Sequence, residues 1–166
     1  MYKDPLTRQI IDFLTGIGLE VRPRKIEGES FLSGIFIENG VLFVDEDRLE
    51  YPGDLLHEAG HLAVAPGHLR GLLSDEVDLP EFNMDSIEAG AIAWSYAAAI
   101  YIGLDPRVVF HEGGYKGSSS GLLMNFALGA YIGLNILEEA QMALGENLAR
   151  QAGTAPFPAM LKWLRD

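Results

Sequence analysis

From Ala89 to Leu104 the chain carries no charged side chain, and small residues (Ala89, Gly90, Ala91, Ala93, Ala97, Ala98 and Ala99) are interleaved with Ile92, Trp94, Tyr96 and Ile100. A helix that is apolar all round has no face to offer water, so it must lie inside a protein core or a membrane. Spanning a bilayer takes about 20 predominantly apolar residues. This run falls short of that, Ser95 interrupts it, and no basic flank marks a cytoplasmic side. A second uncharged run, Gly121 to Leu137, is interrupted by Asn125 and Asn135. Both are therefore expected as buried core helices, one from Asp85 or Ser86 to Gly103 and one from about Leu122 to Ala143, and no membrane partner is expected. The small residues of the first helix also let a neighbouring helix come close.

With 166 residues, 48% of them hydrophobic, the chain can bury one sizeable core and is expected to form one domain over residues 1–166. It has no cysteine, which excludes disulfides, iron–sulfur clusters and thiolate zinc sites and leaves imidazole and carboxylate as metal ligands. A formal charge of −12, from 24 acidic and 12 basic residues, opposes binding to a phosphate backbone, and no Lys/Arg-rich stripe overrides it. No nucleic-acid partner is expected. Asp4 and Pro5 stand where a signal peptide would begin its apolar run, so a cytoplasmic location is expected.

Before the first apolar run, the periodicity changes twice. Ile10, Ile11, Phe13 and Leu14 recur at helical spacing after Pro5, predicting a helix that ends at Gly16 or Gly18. Leu19/Val21, Phe31 to Ile37 and Val41 to Val44 then read as strands, and Asn39-Gly40 between the last two predicts a tight hairpin in a small antiparallel sheet. Pro52 and Asp54 suit the start of the next helix, which Pro66-Gly67 ends. The apolar residues Phe157, Met160, Leu161, Trp163 and Leu164 predict an amphipathic C-terminal segment docked on the core.

That Pro52-initiated helix contains His57-Glu58-Ala59-Gly60-His61. Residues four apart lie only about 40° apart around a helix, so His57 and His61 project from one face and can share a metal ion, with one zinc as the expected cofactor. Glu58 sits beside them, where it can take a proton from a water molecule as general base. The His-Glu-x-x-His spacing is a specific signal in a chain with 4 histidines; its bland reading is a capped helix with two surface histidines. A third ligand is needed. His68 is one residue out of register for a His-x-x-x-His-x-x-Gly-x-x-His site, because Val64 and Gly67 occupy the glycine and histidine positions. Glu88, in the first turn of the next long helix, is the expected ligand, although Asp85-Ser86-Ile87-Glu88 also reads as a capping box. Glu76, Asp78, Glu81 and Asp85 are fallbacks.

The order of helix, β-hairpin ending Val41-Leu42-Phe43-Val44, motif helix and helix opening Ser86-Ile87-Glu88-Ala89-Gly90-Ala91 resembles the compact gluzincins, particularly the ImmA/IrrE-like metallopeptidases. The resemblance covers about Pro5 to Gly103. It implies an α+β, zincin-like fold with a helical core, zinc held by His57, His61 and Glu88, and Glu58 as the base. Two departures stand out: the helix-turn-helix domain that commonly accompanies the family is not expected within residues 1–166, and Leu104 onward has no counterpart.

In that remaining half, His111 and Tyr115 border the glycine- and serine-rich loop Gly113 to Gly121, and either could stabilise an oxyanion beside the metal or belong to a surface loop. Gly117 to Gly121 is not a phosphate loop, because Lys116 precedes the glycine. The expected activity is zinc-dependent cleavage of a peptide or protein substrate. The alternative is a non-catalytic, metal-binding regulatory or protein-interaction domain that keeps the zincin fold.

Overall fold

The first helix begins as its sequence requires. Asp4 stays extended, the Thr7 N–H donates to its carboxylate at 2.7 Å, and Pro5 fills a first-turn position where no N–H is needed. The computed structural model describes residues 2–28, 32–75 and 84–166. Within them lie α1 (Pro5–Gly16), β1 (Val21–Pro23), β2 (Ile35–Glu38), β3 (Val41–Val44), α2 (Asp54–Val64), α3 (Gly67–Arg70), α4 (Met84–Tyr101), α5 (Ser119–Ala127), α6 (Leu134–Glu139) and α7 (Glu146–Ala152). The architecture is α+β, with a small three-stranded sheet against a mainly helical body. Among the described residues, no helix is long and apolar enough to cross a membrane.

The hairpin turns where it was expected, with Asn39 at φ 51° and Gly40 at φ 75°, both in the left-handed region that a tight two-residue turn demands. The sheet as a whole is mixed rather than antiparallel. Its order is β1-β3-β2: β3 pairs antiparallel with β2 and parallel with β1, placing Val21 opposite Leu42. The chain reverses into β2 and again into β3, so the strand inserted beside β1 must run in the same direction as β1. Ile35 and Ile37 of β2 and Leu42 and Val44 of β3 point into the core, following the period-two alternation. Residues 73–75 cover the outer edge of β2: the Asp75 N–H donates to the Ile37 carbonyl at 3.0 Å, and the Ile37 N–H donates to the Asp75 carboxylate at 3.1 Å.

The two longest helical segments of the predicted core behave differently. α4 forms as one helix, with Trp94, Ala97, Ala98 and Ala99 fully buried. The helix expected from Leu122 to Ala143 instead divides into α5 and α6. Gly133, at φ 86°, turns the chain so tightly onto α4 that a Cβ there would lie 1.8 Å from the Ala89 carbonyl oxygen. The C-terminal segment docks without becoming a helix: the Trp163 ring meets Phe13 edge-on at 5.0 Å, and its carbonyl accepts from Trp94 Nε1 at 2.9 Å. α7 was not anticipated from the sequence.

The contact that positions the site is between α2 and α4. Gly60 faces Ala91, where an added Cβ would come within 3.0 Å of the Ala91 Cα and carbonyl oxygen. Those are backbone atoms, so the whole helix would have to move to make room. Gly60→Ala is expected to lower stability in urea unfolding by about 1 kcal/mol or more, the cost of overpacking exceeding the gain in helix propensity. An unchanged unfolding midpoint would show that the two helices do not need the glycine.

Candidate metal centre

Helix α2 presents His57 and His61 one turn apart, and α4 brings Glu88 to meet them. The Nε2 atoms of the two histidines are 3.1 Å apart, and Glu88 Oε2 lies 3.5 Å from His57 Nε2 and 3.2 Å from His61 Nε2. The imidazole planes are perpendicular, with ring centroids 4.8 Å apart, so the nitrogens converge rather than the rings stacking. Ligand atoms bound tetrahedrally at about 2.0–2.1 Å lie about 3.3 Å from one another, so all three separations suit a single ion. Among the described residues, these three form the group of His, Asp and Glu side chains that could hold a metal ion. The histidine side chains are largely buried, and that of Glu88 is 47% exposed, leaving the site open on the α4 side.

The charges respond to one another. The His57 and His61 rings hold the Glu88 carboxyl far below the usual carboxylate range. Burial alone would lower His61, but its hydrogen bond to Glu88 and the nearby charges of Glu58, Glu88 and Asp75 reverse the effect and raise it. Glu58 is pushed up chiefly by burial, with the two histidines opposing the shift and Asp75 and Glu88 adding to it. A carboxylate moved towards neutrality holds a proton more readily, which suits a base that must also return it.

His111 and Tyr115 reach the site through different partners. His111 Nε2 pairs with Asp54 Oδ1 at 2.8 Å while Tyr51 stacks on its ring at 3.8 Å, and its backbone carbonyl accepts from Ser119 Oγ at 2.6 Å. Tyr115 Oη lies 3.0 Å from His57 Nδ1, the ring nitrogen not directed at His61 and Glu88. Burial raises the Tyr115 hydroxyl, so it keeps its proton. His68 is exposed on α3 and Asp85 is exposed on α4, and neither belongs to the converging group. Glu76, Asp78 and Glu81 lie outside the described residues.

Sequence reasoning treated Asp54 as a complement to the helix dipole and Ser95 as an interruption of an apolar run. Asp54 pairs with His111 beside the site, and Ser95 lies near enough to influence the Tyr115 hydroxyl. Asp54 stands three residues before His57 on the same helical stripe, and buried Ser95 stands seven residues after Glu88 on the same face of α4. That spacing was the available signal. Comparison with models of known protein families, with curated proteins and with solved structures finds no match.

Two outcomes follow from this geometry. In equilibrium metal titrations, Glu88→Gln should weaken binding by more than about 100-fold, beyond the effect of losing an outer hydrogen-bond partner, while His68→Ala leaves it unchanged; the reverse pattern would overturn the ligand assignment. For metal-free protein, the raised Glu58 carboxyl means that the folded state binds the proton more tightly than the unfolded state. Stability is therefore lost as pH rises from the unfolded carboxylate value of about 4.3 through the folded value. Glu58→Gln should accordingly raise the melting temperature at pH 8, an advantage that vanishes below about pH 4.

Proposed function

We propose that the chain is a zinc-dependent, metallopeptidase-like hydrolase of the compact gluzincin type, cleaving peptide bonds in a peptide or protein substrate. The observation that carries this reading is the convergence of His57 Nε2, His61 Nε2 and Glu88 Oε2 next to the Glu58 carboxyl, whose proton affinity is raised by burial. A zinc ion bound there supplies a Lewis acid that polarises a carbonyl and lowers the pKa of water to about 7. His57 and His61 would hold the ion through imidazole nitrogen and Glu88 through its carboxylate, so the protein would contribute three ligands, as catalytic zinc sites require. Glu58 is not one of the three. Its carboxylate takes the proton of the attacking water and passes it to the leaving amine nitrogen, the two transfers that peptide hydrolysis needs. This reading gives the proton transfers to Glu58, with Tyr115 Oη 3.0 Å from His57 Nδ1 and His111 Nε2 2.8 Å from Asp54 Oδ1.

One observation favours a second reading, a metal-binding regulatory or protein-interaction domain. An extended peptide commonly binds by adding to a free sheet edge. Here residues 73–75 already occupy the outer edge of β2, and Asp75 is close enough to influence both Glu58 and His61. The base separates the two readings. Glu58→Gln should keep zinc at one equivalent and lower peptide turnover by at least about 10²-fold. Metal-replete wild type without zinc would remove both readings, and zinc-loaded wild type inactive on a broad peptide library would favour the second. Turnover that Glu58→Gln leaves untouched would refute the assignment of the base.

A further inference from the structure

The sheet order β1-β3-β2 leaves two outer edges, and they are finished differently. The β1 edge is three residues long and ends in Pro23, which has no N–H to offer a further strand. The β2 edge is covered by the chain itself. The Gly40 N–H donates to the Leu73 carbonyl at 2.9 Å, the Asn39 N–H to Ser74 Oγ at 2.8 Å and the Ile37 N–H to Asp75 Oδ2 at 3.1 Å, while the Ile37 carbonyl accepts from the Asp75 N–H at 3.0 Å. Rising numbers on β2 meet falling numbers on the partner, so residues 73–75 run antiparallel to it.

Two of these bonds end on side chains. Where a paired strand would present backbone carbonyls, the Asp75 carboxylate and the Ser74 hydroxyl accept instead. The cover is therefore a short strap rather than a fourth strand. Leu73 packs against the core at one end, whereas Asp75 at the other is exposed, and a segment that buries little apolar surface opens at small cost.

An extended peptide recognises a sheet edge through the N–H and C=O groups that a neighbouring strand would use. Those of Ile37 are held by Asp75, and they cannot serve Asp75 and a peptide at once. The strap also adjoins the chemistry, since Asp75 is near enough to influence both Glu58 and His61. We propose that residues 73–75 are an autoinhibitory strap: an extended polypeptide substrate binds along β2 by displacing Ser74 and Asp75 from Asn39 and Ile37, and the closed strap holds that edge shut. Leu73 stays on the core while the two residues after it leave the edge. This rests on the hydrolase reading and adds to it where the substrate backbone lies and what competes for that place.

The test uses the full chain carrying Glu58→Gln, so that nothing is cleaved, with dye-labelled casein as the extended polypeptide and fluorescence anisotropy as the measure of binding. Adding Ser74→Ala and Asp75→Ala together removes both side-chain acceptors. One hydrogen bond is worth about two- to tenfold in an equilibrium, so casein affinity should rise at least about fivefold, and amide exchange at Ile37 and Asn39 without casein should quicken by a similar factor. Ser74→Ala alone, expected to shift both readouts at least about twofold, decides the matter if the double variant folds poorly. Asp75→Asn removes the charge near Glu58 but keeps an oxygen for the Ile37 N–H, and should leave casein affinity within about twofold of the parent. An equal gain in Asp75→Asn and the double variant would assign the effect to charge and overturn the strap. So would unchanged exchange, or faster exchange with no gain in casein affinity. Casein cleavage by zinc-loaded protein with Glu58 intact tests the hydrolase reading separately; its absence would sink that reading, while the binding measurement still decides whether the edge is held shut.

Discussion

The geometry of the site depends on how closely α2 and α4 approach. Gly60, between His57 and His61 in sequence, meets Ala91, and a methyl group there would lie 3.0 Å from the Ala91 backbone, so α4 would have to give way by a few tenths of an ångström. Because ligand atoms must stand about 3.3 Å apart to share a tetrahedral ion, an error of one ångström in helix separation would pull Glu88 out of range. The Ala- and Gly-rich composition of α4 is thus more than a way of filling a core. It allows a carboxylate on one helix to meet two imidazoles on another at 3.2 and 3.5 Å.

Close packing also has an electrostatic consequence. Glu58, His61 and Glu88 lie together, so the protonation of each of the three depends on its neighbours. Glu88 is held strongly anionic by the histidines, whereas burial pushes Glu58 towards its neutral form. Two glutamates a few residues or one helix apart thereby acquire opposite tendencies. That separation suits a division of labour in which one carboxylate remains a ligand and the other exchanges a proton.

A third element keeps the pair of helices from acting alone. The segment from His111 to Ser119 is tied to the start of α2 through Asp54 and reaches His57 through Tyr115. Left-handed backbone at a residue such as Tyr115 costs on the order of 1–3 kcal/mol and persists only where surrounding contacts determine it. The contacts here are specific: the His111–Asp54 pair, the Tyr51 ring stacked on His111, and Ser119 on the His111 carbonyl.

Local chemistry made much of this legible in the sequence. The spacing of His57 and His61, the helix starting at Pro5, the Asn39-Gly40 turn and the burial of the Ala91 to Ala99 stretch of the uncharged run, whose last turn at Ile100 and Tyr101 is exposed, all depend on interactions within a few residues, or on an apolar surface that has no other place to go. Glu88 was readable as a candidate ligand because the helix bearing it has a face of small residues. The parallel placement of β1 beside β3, the break between α5 and α6 at Gly133, and the pairing of His111 with Asp54 and of Tyr115 with His57 were not readable in the same way. They depend on pairings between residues far apart in the chain. Sequence periodicity reports which face of an element is apolar, but the partner of that face is settled only when distant parts of the folded chain pack together.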